Sequence, residues 1–155
     1  MTVKIGEAIP QCAIPATSGL VFEPNSFLGK KLVLYFYPKD ATPGCTVEAG
    51  NFRDTIEAFT AANAVIVGVS RDSLKSHENF KFKHELPFEL VADVEEVLCT
   101  IFAVMKMKNM YGKQVRGLER STFLFDSKGV LQHEWRGIKV PGHVEEVLKT
   151  VVALS

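Results

Sequence analysis

One cysteine in this chain stands where a fold can activate it. Cys45 lies in the run Thr42-Pro43-Gly44-Cys45, between an apolar stretch that ends at Pro38 and a segment of helical periodicity. Thr42 suits an N-cap, and Pro43 suits the first helical position because it has no N–H to leave unsatisfied. On that register Cys45 is the third residue of a helix. The first turn offers unpaired backbone N–H groups and the positive end of the macrodipole, and both favour a thiolate over a thiol. The Thr42 hydroxyl is available to that sulfur or to an oxygen approaching it, and Gly44 allows a substrate close to the backbone. The pattern predicts a nucleophilic sulfur. The competing reading is an inert core thiol, which is the default for Cys12 and Cys99.

The elements around this run must hold it in place. Lys31 to Tyr37 (KLVLYFY) is a continuous apolar run, the pattern of a buried central strand, and residues 39 to 44 form the loop after it. Phe52, Ile56 and Phe59 continue the helix that Cys45 opens. Ala64 to Val69 predicts a second buried strand. Leu74 to Leu86 predicts a helix capped near Asp72 or Ser73, and Phe88 to Val91 a short strand. Asp93 and Glu96 have the spacing of a capping box before an apolar stripe of Val94, Val97, Leu98 and Ile101. Met105, Met107, Met110 and Tyr111 fall in a loop. Thr122 to Phe125 and Val130 to Trp135 read as a hairpin, with Trp135 in the core, and Val144, Val147, Leu148 and Val151 mark a last helix.

Strands alternating with helices, then an antiparallel pair, predict an α/β chain with a mixed central sheet flanked by helices. The Pro- and Gly-rich first thirty residues form an N-terminal extension. With 46% hydrophobic and 23% charged residues and no linker or repeat, the whole of residues 1–155 reads as one globular domain. Eighteen basic residues cancel eighteen acidic ones, so no nucleic-acid or membrane partner is expected. Met1 to Ile9 carries Lys4 and Glu7 and lacks the apolar core of a signal peptide, which predicts a cytoplasmic address. Three widely spaced cysteines make neither a disulfide framework nor a zinc site. The four histidines (His77, His84, His133, His143) lack metal-ligand spacing and predict surface or helix-capping roles. Neither metal nor cofactor is expected.

Pro38-x-x-x-Thr42-x-x-Cys45 resembles the active-site signature of peroxiredoxins. The fuller string YFYPKDATPGCTVEA is similar to the bacterioferritin comigratory protein, or peroxiredoxin Q, subfamily, and the likeness continues through FELVADVEEVLCTIFAV and Arg120 to Asp126. The resemblance implies a thioredoxin-like fold and a thiol peroxidase acting on hydrogen peroxide and organic hydroperoxides. Cys45 attacks the hydroperoxide and becomes a sulfenic acid. Thr42 and the Cys45 N–H hold the peroxide oxygens, Pro38 shields the thiolate, and Arg120 fixes it and polarises the developing charge. Glu48, one turn after Cys45, is placed to orient Arg120. Thioredoxin is the expected reductant, with glutaredoxin or glutathione as alternatives, and a monomer is expected over a dimer.

The subfamily's resolving cysteine is missing from both of its usual places. Five residues after Cys45 stands Gly50, and Leu74 to Leu86 holds no cysteine. Either an external thiol reduces the sulfenic acid directly, or Cys99, less readily Cys12, resolves it by an atypical route. Cys99 falls about 200° around the helix from Val97 at about 100° per residue, off the apolar stripe. Bridging it to Cys45 requires Cα atoms within about 7 Å, or local unfolding. Two other functions compete. A thiol–disulfide oxidoreductase is disfavoured by Thr42, which stands where a dithiol enzyme needs its first cysteine. A non-enzymatic holdase or interaction module would use the apolar loops instead.

Overall fold

The computed structural model describes residues 2–154. The extension contributes two short antiparallel strands, β1 (Ile14–Pro15) and β2 (Val21–Phe22), and a 3-10 turn at Pro24–Phe27. Then come β3 (Lys31–Phe36), α1 (Pro43–Asp54), α2 (Ile56–Ala61), β4 (Ala64–Ser70), α3 (Leu74–His84), β5 (Glu89–Ala92) and α4 (Val97–Ile101). The remaining elements are β6 (Met105–Met110), β7 (Lys113–Leu118), β8 (Ser121–Phe125), β9 (Leu131–Arg136) and α5 (His143–Ala153). The central sheet runs β5-β4-β3-β8-β9, parallel on the β3 side and antiparallel from β8 onward. This is the mixed, helix-flanked sheet the sequence predicts.

Period-two geometry divides β3 between two cores. Leu32, Leu34 and Phe36 face one side, where α4 and the extension add Leu98, Cys99, Phe102, Ile9, Ile14 and Phe22. Val33, Tyr35 and Tyr37 face the other, where α1, α2, α3 and α5 add Cys45, Phe52, Phe59, Phe80 and Val147. Phe123 and Phe125 join the first core and Leu124 the second. The site-bearing helix therefore packs on the face opposite α4.

Four sequence expectations are corrected. The first helix breaks at Thr55, whose hydroxyl donates back to the Asn51 carbonyl at 2.8 Å, so Ile56 opens a separate helix. Asp93 and Glu96 do not form a capping box. Glu96 takes a left-handed conformation at the N-cap, and the Asp93 carboxylate accepts the N–H groups of Leu98 and Cys99 at 3.2 and 2.8 Å. The helix thus starts later, Val94 is exposed, and Cys99 lies on the buried face with Leu98 and Phe102. Met105–Leu118 is a hairpin ribbon rather than a loop, turned at Tyr111 and Gly112, both at positive φ. Finally, Trp135 is only partly buried, its ring stacked on His133 at 4.5 Å between centroids.

Candidate active site

Cys45 is the third residue of α1, with Thr42 in extended conformation at the N-cap and Pro43 opening the helix. The first intrahelical bond runs from Thr46 N–H to the Thr42 carbonyl at 2.9 Å, which leaves the Gly44 and Cys45 N–H groups outside the ladder. The Thr42 hydroxyl does not cap the helix. It donates to the Lys39 carbonyl at 2.8 Å, closing a turn over Asp40 and Ala41 and keeping its lone pairs for another donor. Pro38, half-buried, begins that turn where β3 ends.

Arg120 arrives from the chain between β7 and β8. Its backbone is pinned by Ile138 N–H on its carbonyl at 3.1 Å. Its guanidinium forks: Nη2 donates to Cys45 Sγ at 3.4 Å and Nη1 to Glu48 Oε1 at 2.7 Å. Cys45 is 1% exposed and Glu48 fully buried, so the fork acts in a dry setting. Burial pushes the Glu48 carboxyl up to about 7 while Arg120 pulls it down. Burial also works against the Arg120 cation, but Glu48 and Cys45 outweigh it and raise its affinity for its proton. Glu48 Oε2 and the Tyr35 hydroxyl are buried without hydrogen-bond partners among the described residues.

Gly44 carries a correction of cause. A Cβ there would lie 3.1 Å from Arg120 Nη2, so the missing side chain makes room for the guanidinium, where the sequence suggested room for substrate.

Residues 5–134 match the AhpC/TSA family. The chain belongs to that family. Peroxiredoxin Bcp of Bacillus subtilis is 48% identical over 155 residues, covering 100% of this chain and 99% of that protein. Peroxiredoxin Bcp of Xanthomonas campestris is 54% identical over 125 residues, covering 81% of this chain and 78% of that protein. A solved structure of Xanthomonas campestris bacterioferritin comigratory protein, from work on its alkyl peroxide reduction, superposes with a TM-score of 0.91. The identity is 45%, with 97% of this chain and 96% of that one covered. The fold is thioredoxin-like, and the protein is a thiol peroxidase that takes a hydroperoxide and a thiol reductant.

In this peroxiredoxin the other cysteines lie away from Cys45. Cys99 is fully buried and Cys12 partly so, both against the core on the far face of the sheet. Burial, with the Asp93 carboxylate behind it, pushes both thiols up and keeps them protonated. The structure does not bring either to Cys45. Two histidines lie inside the protein, where the sequence predicts surface or helix-capping roles. His143, 4% exposed at the start of α5, meets Thr122 Oγ1 at 2.8 Å. Burial depresses it to about 4, with Arg120 also lowering it, so the ring is neutral. His77 is fully enclosed beside Asp40. Sequence reasoning missed this second pair, though Asp40 sits inside the active-site run. Among the described residues, no helix is long and apolar enough to cross a membrane.

Proposed function

We propose that Cys45 is the peroxidatic residue and that it works as a one-cysteine enzyme. The thiolate attacks the distal oxygen of a hydroperoxide. A sulfur–oxygen bond forms, the oxygen–oxygen bond breaks, and the departing alkoxide or hydroxide takes up a proton to leave as alcohol or water. Arg120 steadies the thiolate before attack and the charge on the oxygens during it, and the Thr42 hydroxyl and Cys45 N–H hold those oxygens. Pro38 walls the site against water. An external thiol then condenses with the sulfenic acid to release water and form a mixed disulfide, and a second thiol exchanges Cys45 free.

The observation that carries this reading is the Arg120 fork, 3.4 Å from Cys45 Sγ and 2.7 Å from Glu48. The one-cysteine route is supported by Gly50 at the vacant resolving position and by the far-face placement of Cys12 and Cys99. Thioredoxin, glutaredoxin and glutathione are the candidate reductants. Organic hydroperoxides join hydrogen peroxide as substrates by analogy with the alkyl peroxide reduction of the Xanthomonas campestris relative. The protein acts as a single-domain cytoplasmic monomer. The test is a Cys12→Ser/Cys99→Ser double variant supplied with peroxide and a small thiol. Turnover at about the wild-type level supports the one-cysteine route, whereas loss of turnover with Cys45 still oxidisable assigns resolution to one of the two.

A further inference from the structure

Behind the active-site turn lies a buried polar network that the peroxide chemistry above does not use. His77 on α3 is fully buried. Its Nδ1 lies 2.6 Å from Asp40 Oδ2 and its Nε2 lies 2.9 Å from the Val91 carbonyl oxygen. Both ring nitrogens are therefore engaged, one by a carboxylate on the active-site turn and the other by the backbone of β5, which fixes the ring in place. Asp40 receives more than this. Tyr37 Oη donates to its Oδ1 at 2.6 Å and Ser76 Oγ to its Oδ2 at 2.9 Å. Its own N–H donates to Asp72 Oδ2 at 2.9 Å, an oxygen that also takes the Ser70 hydroxyl at 2.5 Å. Asp40, Asp72 and His77 place three metal-ligand-type atoms within 4.8 Å of one another. Hydrogen bonds already engage the facing atoms, and the arrangement reads as a clamp.

What it clamps is the turn that carries two of the proposed pocket residues. Asp40 stands two residues after Pro38 and two before Thr42. Its neighbour Ala41 sits at φ 63°, a left-handed conformation that costs a residue with a Cβ about 1 kcal/mol. The turn above it is closed by the Thr42 hydroxyl on Lys39 O. A strained turn keeps one shape when its surroundings over-determine it, and here Asp40 supplies that from below. We propose that His77 is a positioning residue for peroxide reduction, acting through Asp40 on the turn that sets Thr42 and Pro38 over Cys45. This rests on the peroxidase reading of that site.

The test compares two reactions of Cys45 in His77→Gln, Asp40→Asn and the double variant. Peroxide needs the turn in register, whereas iodoacetamide needs only an accessible thiolate. Each single variant is expected to lose about tenfold or more in the second-order rate with hydrogen peroxide, as small misplacements in a catalytic constellation do. Alkylation at the Cys45 peptide stays within about twofold, and the double variant is no slower than the slower single, since the two act as one unit. Ser76→Ala, which removes one donor to Asp40 and keeps the His77–Asp40 contact, supplies a milder variant and is expected to slow peroxide about threefold with alkylation unchanged. Unchanged peroxide rates, whether or not thermal stability falls, overturn the proposal, as does an alkylation rate that falls in parallel. Failure of the peroxidase reading is visible separately, as a wild-type peroxide rate no better than that of free cysteine, and takes the proposal down with it.

Discussion

Glu48 is a fully buried carboxyl with one oxygen on Arg120 and the other without a partner among the described residues, and replacing it by glutamine exposes what its charge costs. Burial raises the carboxyl from 4.5 to about 7. Between those values the unfolded chain has released the proton and the folded chain still holds it, so stability falls as pH rises. At about 1.4 kcal/mol per tenfold change in proton affinity, the window from 4.5 to about 7 is worth about 3 kcal/mol. Below pH 4.5 both states are protonated and the contribution is fully present; above about 7 it is gone. Glu48→Gln keeps the shape and an acceptor for Arg120 Nη1 but cannot titrate. Urea unfolding of both proteins across this range, with the slope against urea held common, gives the difference directly. Wild type is expected to lose about 3 kcal/mol relative to the variant between pH 4.5 and 7. A difference that stays flat across that range would mean that Arg120 keeps Glu48 ionised throughout, and would refute the reasoning.

Two further substitutions bear on the same site. Gly44→Ala places a methyl 3.1 Å from Arg120 Nη2 in a guanidinium already fixed by Glu48. Peroxide reduction should slow about tenfold, while thermal stability holds or rises because alanine favours a helix, and an unchanged rate contradicts the crowding. His143, depressed from 6.5 to about 4, works against Glu48. Its contribution is whole above pH 6.5 and is lost as pH falls toward 4, so His143→Gln should flatten the acid limb of stability, read by thermal unfolding from pH 7 to 4.

The parts of this fold that follow from local chemistry are legible in the sequence. The continuous apolar run at Lys31 to Tyr37, ended by Pro38, has the pattern of a strand buried on both faces, and Thr42-Pro43 sets the helical register that makes Cys45 its third residue. Arg120 is different, since it comes 75 residues after Cys45 and only the antiparallel pairing of β3 with β8 brings it to the sulfur. Its expected role rests on the family resemblance, because spacing alone carries no such information. The helix around Cys99 departs from its sequence pattern for a tertiary reason. Asp93 reaches forward to the Leu98 and Cys99 N–H groups, which delays the helix and turns Cys99 inward where periodicity counted from Val97 turns it out. The Asp40–His77 pair, 37 residues apart, left no local trace at all.

The central proposal is that the first turn of α1 and Arg120 make the Cys45 sulfur reactive toward hydroperoxides. The direct measurement is the rate at which hydrogen peroxide oxidises Cys45, with the product identified by intact mass. A rate far above that of free cysteine, giving a protein one oxygen heavier with no internal disulfide, is the predicted result. A rate no better than free cysteine would contradict the activation of this sulfur. A rapid internal disulfide would instead contradict the one-cysteine route.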